Sequence, residues 1–193
     1  MRKLFLILFP LFLIILGIYG AGSSLPEQTT TIRGVQLPIA QEELFGIIRD
    51  IAAMPKWHDK IEEVTAIPDP QSKQTLWHVR AAEDRSYVLK VAYVLEPEIL
   101  KLQWLENSLP YTAEWDITLT DKTPVAAEEG EAPATPPQPE TFIKIVEIAK
   151  TSNPFARFYM QYIVGYEGEL VDYLHALARQ VNAPEAEIRE LVA

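Results

Sequence analysis

Few residues of this 193-residue chain could carry out acid–base or metal chemistry, and none of them forms an established motif. His58, His78 and His175 fall in different predicted elements and lack the HxH or HExxH spacing that brings two imidazoles to one metal. The chain has no cysteine, which excludes disulfides, thiolate catalysis and Cys-ligated zinc. We therefore expect no metal, no cofactor and no assignable catalytic residue.

Two groups of residues still allow an acid–base interpretation. His58 and Asp59 could act as general acid and base if they lay at the mouth of a cavity, although we favour a solvated turn. His78, Arg80 and Lys90 have the parity of the outer face of a sheet whose aromatic side chains point inward. A register slip of one residue would exchange these two faces, because strand side chains alternate with a period of two.

Aromatic side chains at regular spacing give the main functional signal. Tryptophan and tyrosine offer an apolar ring and a polar tip, a combination suited to a cavity that orients a ligand with few polar groups. The residues predicted to line such a cavity lie on strands and on a C-terminal helix: Trp77, Tyr87, Tyr93, Leu102, Trp104, Trp115, Phe155, Tyr159, Tyr162 and Tyr166. The alternative, that these side chains fill a close-packed core, stays open.

Charge argues against a nucleic-acid partner. The chain contains 17 Lys and Arg against 27 Asp and Glu, a formal net charge of −10. Nucleic-acid binding needs a basic surface. The GxxG at Gly165–Gly168 falls inside a predicted helix beside acidic residues, so it is not interpreted as an RNA-binding loop.

The N-terminus is predicted to be a membrane anchor. Leu4–Gly22 is a run of 19 uncharged residues that follows Arg2 and Lys3. As a helix it would extend about 28 Å, close to the thickness of a hydrocarbon core. The positive-inside rule places the N-terminus in the cytoplasm and the domain outside it. Small residues up to Ser24 leave open a cleaved signal peptide and a secreted or periplasmic product.

The elements that must position the aromatic residues follow from hydrophobic periodicity. A helical pattern over Ala40–Ala53 is followed by a turn or short helix. Seven segments alternate as strands do, one before this helix and six after it. The strands are predicted at Thr29–Leu37, Ile61–Ile67, Gln74–Ala82, Ser86–Leu95, Ile99–Glu106, Ala113–Thr120 and Thr141–Ala149.

The C-terminal half contains one long helix and one atypical loop. Asn153 and Pro154 are typical of a helix start, and apolar residues spaced by three and four predict a helix to about Asn182. The segment 121–140 has five prolines and five acidic residues, which predicts a disordered loop. The predicted organisation is an anchor or signal at 1–22, a linker at 23–28, a domain at 29–182 and a tail at 183–193.

This order of elements resembles the START-like superfamily, also called SRPBCC, which includes polyketide cyclases and lipid-transfer domains. The resemblance rests on Leu37–Phe45, followed by Asp50 and then Pro55-Lys56-Trp57, which look like the family's opening strand, helix and turn. It implies an α+β helix-grip fold, with a curved antiparallel sheet of about seven strands around a long C-terminal helix. It carries over no catalytic residue.

The resemblance and the anchor together predict a membrane-tethered domain that binds an apolar small molecule or lipid. One alternative is a polyketide cyclase or dehydratase-like enzyme that uses His58, His78 or a tyrosine as acid or base. Another is a protein-interaction module with a filled core, whose protein partner the sequence does not identify. We favour ligand binding over catalysis.

Overall fold

An eight-stranded antiparallel sheet organises the chain. The computed structural model describes residues 2–69, 72, 74–107, 111–123, 138–165 and 168–192. The strands are β1 (Gln28–Leu37), β2 (Ile61–Pro68), β3 (Thr75–Ala81), β4 (Arg85–Leu95), β5 (Ile99–Asn107), β6 (Thr112–Asp121), β7 (Thr141–Lys150) and β8 (Arg189–Glu190). Their spatial order is β2-β3-β4-β5-β6-β7-β1-β8, so the first strand lies beside the last long one.

Helices occur before the sheet, between its first two strands and after its last long strand. They are α1 (Arg2–Ser24), α2 (Gln41–Arg49), a 3₁₀ helix (Ile51–Lys56), α3 (Pro154–Tyr159), a π-helical turn (Met160–Val164) and α4 (Gly168–Gln180). α4 contributes Leu170, Tyr173, Leu174 and Leu177 to the core at the spacing of one helix face. The α+β class and the seven long strands are therefore confirmed, and a short eighth strand is added.

Alternation places the strand side chains as the sequence predicts over most of the sheet. In β6 the buried residues Trp115, Ile117 and Leu119 alternate with more exposed neighbours, and β7 repeats the pattern. His78 and Arg80 lie on the outer face, where Arg80 pairs with glutamates of β2. The predicted parity of these two residues is correct.

The pairing of β4 with β5 shifts register twice, between Val88 and Leu89 and between Val91 and Tyr93, and the second shift changes the predicted orientation of Tyr93. Val91 pairs with Leu102 but Tyr93 pairs with Lys101, so β4 has one residue more than β5 across this step. Such a bulge reverses the inward–outward alternation beyond it. Tyr93 and Leu95 consequently lie exposed, and the prediction that Tyr93 lines the interior together with Tyr87 is wrong.

The predicted continuous C-terminal helix is interrupted. Asn153 caps α3 as expected, because its side-chain oxygen accepts a hydrogen bond of 2.9 Å from the backbone N–H of Phe155. The π-helical turn ends at Gly165, whose φ of +82° no right-handed helix accommodates. Helical residues resume at Gly168, so the Gly165–Gly168 motif lies at a break rather than inside a helix.

The C-terminal tail adds the eighth strand. Arg189 and Glu190 pair with Gly34 and Arg33 of β1, and the backbone N–H of Leu191 donates to Ile32. The open edge of β1 offers the tail the backbone hydrogen bonds that hold it as a strand.

The two described ends of the proline-rich segment lie side by side. The N–H of Lys122 donates to the carbonyl of Glu140 at 2.7 Å, and the N–H of Glu140 donates to the hydroxyl of Thr123 at 3.1 Å. Residues 124–137 lie outside the described residues, so the predicted disorder of this segment stays a prediction.

We expect that replacing Pro124–Pro139 by a short glycine-containing turn leaves the fold intact. The residues that flank the segment are already joined by hydrogen bonds, and loop-closure entropy changes slowly with loop length. Thermal unfolding followed by circular dichroism is the measurement. A melting temperature lowered by more than about 8 °C, the shift that ~2 kcal/mol causes in a domain of this size, would contradict the expectation.

Helix α1 stands apart from the sheet and exposes large apolar side chains between Leu8 and Tyr19. Its exposed large side chains are Leu8, Phe9, Leu11, Phe12, Leu13, Ile14, Ile15, Leu16 and Tyr19. No helix in the part of the chain that the structure describes combines the length and the hydropathy needed to cross a bilayer.

Candidate functional site

Four aromatic rings from three strands and α4 form a continuous cluster inside the fold. Tyr87 of β4 stacks on Trp104 of β5, with ring centroids 4.7 Å apart. Trp104 lies 5.4 Å from Trp115 of β6, and Trp115 meets Tyr173 of α4 edge-on at 5.1 Å. Offset and edge-to-face pairs of this kind are the favoured arrangements of aromatic rings. We call these four residues the aromatic cluster.

The 3₁₀ helix brings a histidine to the end of this cluster. His58 follows Trp57 at the end of the 3₁₀ helix, and its backbone N–H donates to Met54 at 2.8 Å. This tight turn directs the His58 ring inward, 6.1 Å from that of Tyr173, and leaves its side chain only 4% exposed. The favoured interpretation of His58 as part of a solvated turn is therefore wrong.

Two buried nitrogens at this end have no hydrogen-bond partner. Among the described residues, nothing pairs with Nδ1 of His58 or with Nε1 of Trp57. A buried polar atom without a partner costs about 1–3 kcal/mol, so sites that keep such atoms often reserve them for water or a ligand.

A carboxylate lies behind the aromatic cluster. Glu147 of β7 is directly opposite Trp115 of β6, and the indole N–H of Trp115 donates to the Glu147 carboxylate at 3.0 Å. Glu147 is only 1% exposed. This contact fixes the orientation of the Trp115 ring.

Burial governs the ionisation of the polar groups around the interior. It lowers the pKa of His58 from its usual 6.5, although the nearby carboxylates of Asp59 and Asp172 act in the opposite direction. Burial also raises the pKa of the Tyr87 and Tyr173 hydroxyls, which therefore stay protonated at neutral pH. The interior thus presents a neutral imidazole and neutral phenols.

We expect the burial of His58 to make the protein less stable as the pH falls below 6.5. In this range the unfolded chain binds a proton at His58 that the folded chain does not. The free energy of unfolding therefore decreases as the pH decreases. The slope from this one group is at most about 1.4 kcal/mol per pH unit. Melting temperatures between pH 7.5 and pH 5.5 should therefore fall less steeply for His58→Gln than for the wild type.

The matched control is His175→Gln, because His175 lies exposed on α4. Its melting temperatures should follow the wild-type pH dependence. An unchanged slope in His58→Gln would contradict the burial of a neutral imidazole.

The interior bounded by these side chains is almost closed. The space they enclose measures about 10 Å³. It is lined by the aromatic cluster, by His58, and by aliphatic side chains such as Ile51 and Leu102. Glu169, which pairs with Arg85, also lines it. That volume admits about one water molecule, whereas ligand sites measure about 300–1,000 Å³. The predicted open cavity is therefore not present among the described residues of this structure.

Larger clefts in the described part of the chain lie on the outside. One of about 390 Å³ lies between the C-terminal tail and the strands β1 and β7, next to Phe142. Another of about 290 Å³ lies between α2, the 3₁₀ helix and the end of α4. Neither includes a residue of the aromatic cluster.

The predicted site residues divide into three groups. Those that the structure brings together inside are Tyr87, Leu102, Trp104 and Trp115, with Trp77 partly buried against the core. Those that prove exposed, so that their assignment to the cavity is wrong, are Tyr93, Phe155, Tyr159 and Tyr162. Tyr166 lies outside the described residues.

The exposed helix residues have a common cause. The break at Gly165 separates α3 and the π-helical turn from α4, and α4 supplies most of the side chains that pack inward, together with Met160 of the π-helical turn. Phe155, Tyr159 and Tyr162 therefore belong to a different surface although their spacing continues that of α4.

Two interior residues, Tyr173 and Glu147, were missed by the sequence prediction of the site. Tyr173 lies within the apolar helical spacing and Glu147 interrupts an apolar strand face at an inward position, so both left a signal in the pattern. His58 was predicted at a cavity only as the less favoured alternative, because its inward orientation depends on the 3₁₀ turn. Among the described residues, no three His, Asp or Glu side chains are grouped to hold a metal ion.

No protein-family model and no curated protein matches this sequence. Solved structures do match. A START superfamily protein from Mycobacterium smegmatis superposes with a TM-score of 0.55 at 12% identity, over 81% of this chain and 98% of the other. The Zhui aromatase/cyclase from Streptomyces sp. R1128 gives 0.58 at 11% identity, over 80% and 94%.

A third match is norcoclaurine synthase from Thalictrum flavum, solved in complex with dopamine and hydroxybenzaldehyde. Its TM-score is 0.55 at 15% identity, over 81% of this chain and 88% of the other. At such identities the likeness concerns the fold, and the shared fold covers nearly the whole of each compared protein.

Proposed function

Because the chain has a START-like fold, we propose that its interior binds an apolar small molecule or a lipid. The observation that carries the proposal is the aromatic cluster with an unpaired nitrogen of His58 at its end. Apolar contact with the rings would supply affinity, at about 25 cal/mol per Å² of buried apolar surface. A polar group of the ligand would complete the hydrogen bonding of His58.

Binding must enlarge the interior, since only about 10 Å³ is free. The segment best placed to move is the π-helical turn, which ends at the positive φ of Gly165 and leaves Tyr162 and Ile163 exposed. Single π turns often mark functional sites. We propose that displacement of this segment opens the aromatic cluster to the ligand.

We also propose that α1 attaches the domain to a membrane, with the domain on the extracytoplasmic side. Support comes from the 19-residue uncharged run after Arg2 and Lys3 and from the apolar side chains that α1 exposes. Attachment would keep the domain close to ligands that partition into lipid.

A second candidate function is acid–base catalysis of the cyclase type. His58 favours it, because burial keeps its imidazole neutral and therefore able to accept a proton. Tyr173 is adjacent, and because burial raises the pKa of its hydroxyl, that group would orient a substrate as a hydrogen-bond donor rather than transfer its proton. Conversion of a bound compound that is lost in His58→Gln would support this candidate.

The test of ligand binding is to block the interior without changing the outer surface. Leu102→Trp adds a ring inside the closed space, whereas Leu105→Trp makes the same change at an exposed position of the same strand. Native mass spectrometry of the full chain released from detergent should detect a bound compound in the wild type and in Leu105→Trp. We expect little or none in Leu102→Trp, because its interior is already filled.

Absence of a bound compound in the wild type, together with the nearly closed interior, would favour an interaction module with a filled core. Equal occupancy in both variants would place the compound elsewhere on the protein. Overpacking costs about 1–3 kcal/mol, so thermal unfolding must show that Leu102→Trp remains folded.

A further inference from the structure

An uncharged aromatic surface covers α3 and the π-helical turn. Phe155, Tyr159, Tyr162 and Ile163 are between 42% and 65% exposed, and we call them the aromatic patch. From residue 154 to residue 165 the only charged residue is Arg157, and its side chain is buried. In a chain with a net charge of −10, so long a stretch without an exposed charge needs an explanation.

The patch is joined to the end of α1 by a close contact. The rings of Tyr19 and Phe155 lie 5.7 Å apart. A Cβ atom at Gly22 would lie 1.9 Å from the carbonyl oxygen of Pro154, so only glycine permits this approach of α1 to α3.

The linker after α1 is held on the same side. The guanidinium of Arg157 donates to the carbonyl of Leu25 at 2.8 Å and lies 3.7 Å from the carboxylate of Glu27. The N–H of Thr151 donates to the carbonyl of Glu27 at 2.8 Å. The position of α1 therefore fixes the position of α3, and the aromatic patch continues the exposed apolar surface of α1.

We propose that the aromatic patch lies in the interfacial layer of the membrane that holds α1. This inference rests on the proposed attachment through α1. Tyrosine is enriched at the boundary between headgroups and acyl chains, where its ring and hydroxyl are both satisfied. An acidic chain is not attracted to an anionic membrane surface. The patch has no exposed charge, so its insertion does not depend on anionic lipid.

The absence of cysteine allows a direct test with single spin labels on the full chain. Tyr162→Cys and Tyr159→Cys report the aromatic patch, Leu13→Cys reports α1, and His175→Cys on the exposed face of α4 is the control. The labelled proteins are reconstituted into phosphatidylcholine vesicles. Collision rates with oxygen, which concentrates in lipid, and with a water-soluble nickel chelate are measured by power saturation.

We expect oxygen to exceed nickel at positions 159, 162 and 13, and the ratio to reverse at position 175. If nickel exceeded oxygen at positions 159 and 162 but not at position 13, the proposal for the aromatic patch would be wrong, while the proposed attachment through α1 would stand. If nickel exceeded oxygen at all four positions, both the interfacial position of the patch and the attachment through α1 would be wrong. A patch shielded from both reagents would also overturn the proposal, in favour of a second protein copy.

Discussion

Trp104→Ala is expected to lower the free energy of unfolding by about 3–5 kcal/mol, the usual cost of truncating a buried Trp. The side chain is 4% exposed, stacks on Tyr87 and contacts Trp115. Because the space beside it holds only about one water, its removal leaves a new cavity. Chemical denaturation of the full chain measures the loss, which is a large share of the 5–15 kcal/mol typical of domains.

The matched control is Tyr162→Ala, since Tyr162 is exposed. Its effect should stay within about 0.5 kcal/mol, as for most surface substitutions. If Trp104→Ala were equally mild, the ring would already border empty space, and the interior would be open in solution.

Arg157→Met is expected to lower stability by about 2–4 kcal/mol, because each hydrogen bond from a charged group contributes about 1.5–3 kcal/mol. Arg157 is 7% exposed and donates to the carbonyls of Leu25 and Ser152. Methionine keeps the apolar stem but leaves both carbonyls unpaired. The linker between α1 and β1 should then detach from α3.

Hydrogen exchange of the full chain measures this detachment. Amide exchange should accelerate at residues 22–28 and at the N–H of Thr151, which donates to the linker. Arg189→Met is the control, because Arg189 is exposed and pairs with its neighbour Glu187. Unchanged exchange in Arg157→Met would show that the contact of Gly22 with Pro154 holds α1 by itself.

The strands could be predicted from the sequence because each has one buried face. In β6 and β7 the inward residues are apolar with few exceptions, so a period of two identifies both the strand and its orientation. The bounds of the seven long strands agree with the prediction to within a residue or two.

Two errors arose where a single backbone irregularity redirects a regular pattern. The bulge in β4 turns Tyr93 outward although the alternation of residue types continues through it. Gly165 ends the π-helical turn although apolar spacing continues across it. Periodicity records residue types, and neither event changes them.

The interior site was only partly predictable for a different reason. Trp104 and Trp115 follow from strand parity, but the position of His58 depends on the 3₁₀ helix that ends before it. The degree to which rings close the interior depends on side-chain packing between β4, β5, β6 and α4. Neither property is a function of local spacing.

The short strand β8 has a consequence for how the protein behaves when its C-terminus is altered. β1 is ten residues long, and on the side away from β7 the described residues pair with it over Ile32–Gly34, where they belong to β8 and Leu191. An uncovered strand edge is a template for intermolecular pairing. Removal of residues 184–193 would take away this pairing, so a truncated protein should self-associate through β1, and the tail is better kept intact when an affinity tag is attached.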